Sequence, residues 1–324
     1  MIVITGGAGF IGSCLVWMLN QRGVEDILIV DRLGTSEKWK NLVPLKYQDF
    51  LDKDDFISRL EAGELNFGID AILHLGACSS TTEKDASYLM ENNFRYTARI
   101  GHWWERNQEC RFIYASSAAT YGNGGQGYED RESDLHDLRP LNMYGYSKHV
   151  FDLYAQKKGW LKKIVGLKYF NVFGPNEEHK GDMRSLIAKA FKRVRDEGEI
   201  SLFKSNRANY SHGEQRRDFI YVKDVAAMTL FFLQNKKGGI YNIGTGEAKT
   251  WNDLARALFN ALGKETVIKY VDMPASLENK YQYFTQAEME KLRSVGCDHT
   301  CMSLDDAVKD YVHNHLITET PLGW

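Results

Sequence analysis

Apolar residues in the first half of the chain follow two alternating patterns. Short β-branched runs predict strands, and longer stretches with apolar residues at helical spacing predict helices. The predicted strands are residues 2–5, 27–31, 69–75, 111–115 and 163–168, and the predicted helices are residues 10–21, 52–63, 85–107 and 144–159. Strands and helices alternating at this spacing favour right-handed crossovers. The pattern therefore predicts a Rossmann-type α/β fold with a doubly wound parallel sheet.

The second half of the chain is less regular. Helices are predicted at 181–198, 225–234 and 250–262, strands at 219–222 and 239–244, and a polar loop at 206–215. No repeat or linker separates the halves, which predicts two interleaved lobes. We expect residues 1–171 and 219–248 to form the dinucleotide-binding domain. Residues 172–218 and 249–324 are expected to form a smaller substrate-binding lobe.

Composition narrows the range of partners. The 324 residues are 43% hydrophobic and 26% charged, which is typical of a globular protein. The formal net charge is −2, and the absence of long basic runs argues against binding to nucleic acid or anionic lipid. Neither a signal peptide nor an apolar stretch of about 20 residues is found, so a cytoplasmic location away from membranes is expected.

The five cysteines are odd in number and irregularly spaced, which indicates free thiols in a reducing compartment. Cys297 and Cys301 flank His299 at a spacing that metal sites also use. No second ligand pair occurs at zinc-finger spacing. The sequence therefore predicts no metal site.

A glycine-rich string follows the first predicted strand and opens the first predicted helix. Gly6 permits a tight turn, Gly9 lets the backbone approach a pyrophosphate, and Gly12 lets helix and sheet pack closely. Asp31 ends the second strand, where an acidic side chain meets the adenosine ribose of a dinucleotide. The string in this context predicts a nicotinamide dinucleotide as the cofactor.

Three cations lie close to Asp31 in the sequence. The carboxylate alone favours NAD because it repels a 2′-phosphate. Arg32, Lys38 and Lys53 can together neutralise a phosphate dianion, although each is also compatible with ordinary surface charge. The sequence favours NADP, with NAD as the alternative.

Tyr144 and Lys148 lie one helical turn apart on one face of a predicted helix. A free tyrosine is a weak base at neutral pH, and an adjacent ammonium is expected to lower its pKa. Ser117 follows the strand 111–115, at an edge where such sheets bind ligands. These three residues predict proton transfer beside a bound nicotinamide.

Four strings together resemble the extended short-chain dehydrogenase/reductase family, also called the NAD-dependent epimerase/dehydratase family. They are residues 5–12 (TGGAGFIG), 144–148 (YGYSK), 217–222 (RDFIYV) and 241–246 (YNIGTG). Further strings resemble those of family members that act on ADP-linked heptoses, and these are residues 76–83, 115–122, 168–175, 179–181 and 281–286.

This resemblance implies an epimerase of lipopolysaccharide core precursor synthesis that inverts C6 of the heptose through a 6-keto intermediate. It also implies a homo-oligomer. Tyr144 is expected to act as the acid–base group for one orientation of the keto-sugar, and Lys180 for the other. The alternative role of Lys180 is a contact with a phosphate or a ribose. Ser117 is expected to assist at the sugar oxygen, and Lys148 to bond the nicotinamide ribose.

The resemblance also implies two sets of binding residues. For the dinucleotide these are Gly6, Gly9, Phe10, Ile11, Gly12, Asp31, Arg32, Lys38, Lys53, Leu75, Gly76, Ala77, Cys78, Ser79, Asn92, Lys148, Val172 and Lys180. For the ADP-sugar they are Ser117, Asn171, Asp182, Lys189, Phe203, Lys204, Ser205, Asn206, Arg217 and Tyr281.

Some positions depart from the family pattern. Leu75 replaces an acidic residue, Asp182 and Lys189 replace a serine and a histidine, and the loop 207–216 is longer. The resemblance implies that these are positions at which sugar or nucleotide preference can be set.

Two alternative functions remain open from the sequence. A UDP-sugar 4-epimerase of the same family uses the same tyrosine and lysine, and a non-catalytic dinucleotide sensor would keep the glycine turn. A dehydratase is excluded because it needs an acid and a base after the motif serine, where this chain has Ala118 and Ala119.

Overall fold

The computed structural model describes residues 1–274 and 281–324. The strands of this described part are β1 (Ile2–Thr5), β2 (Ile27–Asp31), β3 (Asp49–Asp52), β4 (Ala71–His74), β5 (Arg111–Ser117), β6 (Val165–Tyr169), β7 (Asn171–Phe173), β8 (Ile200–Phe203), β9 (Arg216–Tyr221), β10 (Gly239–Ile243), β11 (Ala248–Thr250) and β12 (Ile268–Val271).

Seven of these strands form the central sheet, in the order β10-β6-β5-β4-β1-β2-β3. Every neighbouring pair in it is parallel. The chain runs outward from β1 to β3 and then returns to β4 on the other side of β1. The carboxyl ends of β1 and β4 therefore flank the switch point at which such sheets bind ligands. The predicted doubly wound parallel sheet is confirmed.

The helices of the described part are α1 (Phe10–Gln21), α2 (Lys53–Ala62), α3 (Ala86–Leu89), α4 (Tyr96–Arg106), α5 (Met143–Lys157), α6 (Leu186–Glu197), α7 (Val222–Gln234), α8 (Trp251–Ala261), α9 (Glu290–Ser294) and α10 (Leu304–Tyr311). A π-helical segment, Met90–Arg95, joins α3 to α4. Among the described residues, none of the helices is both long and apolar enough to cross a bilayer.

Local capping explains why several helices begin and end where the sequence predicts. The Asp52 side chain accepts the Asp54 N–H at the start of α2, and Gly63 ends that helix with a φ of 71°. Thr250 and Asp253 form a reciprocal capping box at the start of α8. Strands β1 and β2 and helix α1 have the predicted bounds.

Two predictions about local structure are wrong. The sequence predicts Val222 as the end of a strand, but Val222 begins helix α7. The single helix predicted at 181–198 is a 3₁₀ segment, Glu178–Met183, followed by α6. Gly181 interrupts it with a φ of 55°, and the Ser185 side chain caps the new helix by accepting the Ala188 N–H.

Smaller elements build a second lobe beside the main sheet. β11, β9 and β7 form a three-stranded sheet, and β12 pairs with β8. A hydrophobic cluster separate from the main core joins α6, α8 and α10 through residues such as Phe191, Leu258 and Val308. Because the two lobes have separate apolar clusters, a cleft can form at the boundary between them.

Asp218 on β9 ties the two sheets together. This fully buried carboxylate accepts hydrogen bonds from the Thr245 N–H and hydroxyl, both at 2.8 Å, just after β10. It also accepts the N–H groups of Gly246 and Ala287, both at 3.0 Å. One side chain thus satisfies four donors from two separate segments, because a carboxylate offers several acceptor sites.

We expect Asp218→Ala to lower the free energy of unfolding by about 3 kcal/mol or more, because several buried N–H groups lose their partner. Urea denaturation measures this loss. Asp196→Ala is the control, since Asp196 forms an exposed ion pair with Arg195 and such pairs contribute little. Equal unfolding midpoints for the two variants would contradict the role given to Asp218.

Candidate active site

A cleft of about 1050 Å³ lies at the carboxyl ends of β1, β4, β5 and β6 and faces the second lobe. Most of the predicted site residues line it. They are Gly6, Gly9, Phe10, Ile11, Gly12, Asp31, Lys38, Leu75, Gly76, Ala77, Cys78, Ser79, Ser117, Tyr144, Lys148, Asn171, Val172, Lys180, Lys189, Phe203 and Tyr281.

The glycine turn leaves room only for backbone. Gly6 has a φ of 71°, and a Cβ there would lie 2.7 Å from the Gly76 nitrogen. A Cβ on Gly12 would collide with the Gly6 carbonyl oxygen. Gly9 precedes α1 without a capping side chain, so the positive end of the helix is open toward the cleft. These features fit the pyrophosphate of a dinucleotide.

Asp31 is held at the end of β2 by three donors. Its carboxylate accepts the Ala8 N–H at 3.0 Å, the Arg32 N–H at 2.7 Å and the Lys38 ammonium at 2.5 Å. The Asp31 side chain is 8% exposed, and both Asp31 and Lys38 line the cleft. A carboxylate and an ammonium therefore lie together where the adenosine ribose is expected.

Helix α5 brings Tyr144 and Lys148 to the cleft wall. The Asn142 side chain caps the helix by accepting the Gly145 N–H at 2.8 Å, which places Tyr144 in the first turn. The Tyr144 phenol lies beside the side chain of Ser117 at the end of β5. The buried Lys148 ammonium donates to the Ala115 carbonyl at 2.9 Å.

The protonation of this pair differs from the sequence prediction. Loss of solvent raises the pKa of Tyr144 above its ordinary value, and the adjacent Ser117 side chain only opposes that rise. The expectation that Lys148 lowers the pKa of Tyr144 is therefore wrong for the chain by itself. Burial lowers the pKa of Lys148 to about 8, while the nearby Asp152 carboxylate opposes the change.

Lys180 reaches the cleft from the 3₁₀ segment before α6. Its ammonium nitrogen lies 4.9 Å from the centroid of the Phe10 ring. Burial lowers the pKa of Lys180, the Glu177 carboxylate opposes this, and Lys189 adds to it. Tyr144 and Lys180 thus line one cleft from separate segments of the chain.

Eight predicted residues do not line the cleft: Arg32, Lys53, Asn92, Asp182, Lys204, Ser205, Asn206 and Arg217. Lys53 instead pairs with Asp54, and the Asn92 side chain donates to the Tyr88 carbonyl.

Arg217 does not line the cleft itself but contacts a residue that does. It is buried, and its guanidinium is 5.1 Å from the ring centroid of Tyr281, which does line the cleft. Its side chain also donates to the Arg216 carbonyl at 2.8 Å. In this arrangement Arg217 supports Tyr281.

Sequence reasoning missed other residues of the cleft. His179, Arg184, Trp251 and Gln282 line it, and Ser36 lies beside Lys38 in the lining. His179 and Gln282 fall inside strings that carry the family resemblance, which was a usable signal. Arg184 and Trp251 flank helix starts in the second lobe, and only the packing of that lobe brings them to the cleft.

Sequence reasoning also missed Asp152, which does not line the cleft but whose charge acts on Lys148. It is fully buried one helical turn after Lys148. Its two carboxylate oxygens accept the Tyr114 hydroxyl at 2.8 Å and the Ser116 hydroxyl at 2.7 Å. Two hydroxyl donors on two oxygens fit an ionised carboxylate.

Comparison with known proteins agrees with this geometry. Residues 2–244 match the family model described as "NAD dependent epimerase/dehydratase family". The chain is 51% identical over 322 residues to ADP-L-glycero-D-manno-heptose-6-epimerase from Nitratidesulfovibrio vulgaris, covering 99% of both chains. It is 48% identical over 330 residues to the protein of the same name from Fusobacterium nucleatum, covering 98% of this chain and 99% of the relative.

Solved structures show the same similarity. The crystal structure of Helicobacter pylori ADP-L-glycero-D-manno-heptose-6-epimerase matches with a TM-score of 0.80 at 28% identity, covering 97% of this chain and 95% of that one. Identity near one half over almost the full length, together with the family match, confirms the resemblance found in the sequence. The chain belongs to the NAD-dependent epimerase/dehydratase family.

Proposed function

We propose that this protein inverts C6 of the heptose in ADP-glycero-manno-heptose through a 6-keto intermediate. The observation that carries the proposal is the 51% identity, over 99% of both chains, to a relative named for that activity. The placement of Tyr144, Ser117 and Lys180 around one cleft supports it. A nicotinamide dinucleotide, when bound, would supply the acceptor and later the donor of the C6 hydride.

Tyr144 and Lys180 suit the two proton transfers that the reaction needs. Oxidation at C6 requires a base for the hydroxyl proton, and reduction requires an acid for the keto oxygen. The raised pKa of Tyr144 keeps its phenol protonated and able to donate. The lowered pKa of Lys180 makes its neutral amine more available as a base. We assign each residue to one orientation of the keto-sugar, with Ser117 bonding the sugar oxygen.

The lobes are proposed to divide the ligands between them. Residues 1–171 and 219–248 would hold the dinucleotide, and residues 172–218 and 249–324 the ADP-sugar. Lys38 beside Asp31 supports NADP, because its ammonium can bond a 2′-phosphate that the carboxylate alone would repel. The family resemblance also supports a cytoplasmic homo-oligomer.

The purified protein should invert C6 of ADP-heptose and leave C4 of UDP-galactose unchanged, as followed by NMR of each sugar. Tyr144→Phe should lower kcat about 100-fold or more because it removes the acid hydroxyl. The matched control is Tyr146→Phe, since Tyr146 is 49% exposed two residues away. Inversion of UDP-galactose alone would refute the substrate, and full activity of Tyr144→Phe would refute the mechanism.

Lys38→Gln should weaken the binding of NADP about tenfold more than that of NAD, because a charge-assisted bond to the 2′-phosphate is lost. Isothermal titration with each dinucleotide measures both affinities. Lys40→Gln serves as the control, since the Lys40 side chain is 58% exposed. An equal effect of Lys38→Gln on both dinucleotides would argue for NAD.

Asp152→Asn should move the alkaline limb of the pH–kcat/KM profile to lower pH. The carboxylate holds up the pKa of Lys148, which is about 8, so its removal lets Lys148 lose its proton earlier. Profiles of wild type, Asp152→Asn and the exposed control Asp196→Asn test this. A limb that stays in place in Asp152→Asn would show that Asp152 does not act through Lys148.

A further inference from the structure

A cluster of metal-ligand side chains lies outside the active-site cleft. Asp224 stands in the first turn of α7, while His299 and Cys301 lie in the segment between α9 and α10. One ligand atom from each residue lies within 4.8 Å of the other two. Tertiary structure thus brings an oxygen, a nitrogen and a sulfur ligand together from segments about 75 residues apart.

The contacts of Asp224 show how this cluster is built. The side chain is 6% exposed, so an ionised carboxylate there needs a partner. It accepts the Met302 N–H at 3.1 Å and lies 2.8 Å from the Nε2 atom of His299. Cys301 approaches the Gly244 carbonyl with its thiol, at 3.9 Å. These contacts hold all three side chains in one place before any ion binds.

We propose that Asp224, His299 and Cys301 bind one zinc-like divalent cation, with a fourth coordination position open to water. Carboxylate, imidazole and thiolate are all zinc ligands, and three protein ligands with one open position are a common zinc arrangement. A cleft of about 590 Å³ lies beside the cluster and gives it access to solvent. None of the three residues lines the active-site cleft.

The role of the cation is to fasten the C-terminal segment to the main sheet. Cys301 lies against Gly244 at the end of β10, and Asp224 belongs to α7, which packs on α1. An ion bound between these elements stabilises the folded chain by mass action, because the unfolded chain does not hold the three ligands together. This inference is independent of the proposed epimerase activity.

The sequence predicts no metal here because no second pair of ligands accompanies Cys297 and Cys301 at zinc-finger spacing. The third ligand is instead an aspartate from a distant helix. Cys297 lines the same small cleft, but its thiol does not belong to the group of ligand atoms that lie within 4.8 Å of one another. We therefore leave Cys297 outside the ligand set, which makes it a matched control for Cys301.

Cobalt(II) titration of the metal-free full chain tests the ligand set. We expect one equivalent to bind and to give a thiolate-to-cobalt charge-transfer band. Cys301→Ser should remove that band, and His299→Ala should weaken cobalt and zinc binding about tenfold or more. Cys297→Ser should bind cobalt like wild type, and so should His136→Ala, since His136 is exposed.

Zinc should also raise the melting temperature of wild type, Cys297→Ser and His136→Ala, and should leave that of Cys301→Ser unchanged. Melting each variant in chelator first shows whether the substitution alone unfolds the chain. If Asp224 and His299 form an ion pair and bind no metal, wild type will show neither a cobalt band nor stabilisation by zinc. That result, or an intact band in Cys301→Ser, would overturn the proposal.

Discussion

The active site depends on a positive charge that is kept inside the protein. Lys148 is only 6% exposed, and an ammonium at such a position is costly unless acceptors and an opposite charge surround it. Strand β5 and helix α5 supply both. The Ala115 carbonyl accepts from Lys148, and Asp152 lies one turn further along the same helix. The hydroxyls of Tyr114 and Ser116 donate hydrogen bonds to Asp152 and hold it in place.

This arrangement fixes the register of helix against strand, and with it the position of Tyr144. Three consecutive residues of β5 contact the helix, so a shift of either element would break all three hydrogen bonds. Ser117, the last residue of the strand, then lies beside Tyr144. Electrostatics and catalytic geometry are thus set by the same contacts. Lys180 lines the same cleft from a separate segment, and Asp218 joins β9 of the smaller sheet to the turn after β10 of the central sheet.

Local chemistry made much of this predictable. The glycine string, the Asp52 and Thr250 caps and the β-branched runs act within a few residues, and the bounds of β1, α1 and β2 follow from them. Elements of the second lobe, such as β8 and β12, were missed because they are short and are stabilised by each other. The break before α6 was missed because Gly181 sits inside an otherwise helical pattern.

By itself, the sequence determined the fold class, the family and the main residues of the cleft, since these depend on local periodicity and on motifs contiguous along the chain. Tertiary structure decided what depends on approach between distant segments. In the folded chain, burial raises the pKa of Tyr144, and the Asp152 carboxylate lies close enough to Lys148 to affect its pKa. Arg217 contacts the ring of Tyr281, and Asp224 contacts His299. Desolvation and hydrogen bonding between distant residues arise only when the chain is packed, so no local pattern encodes them.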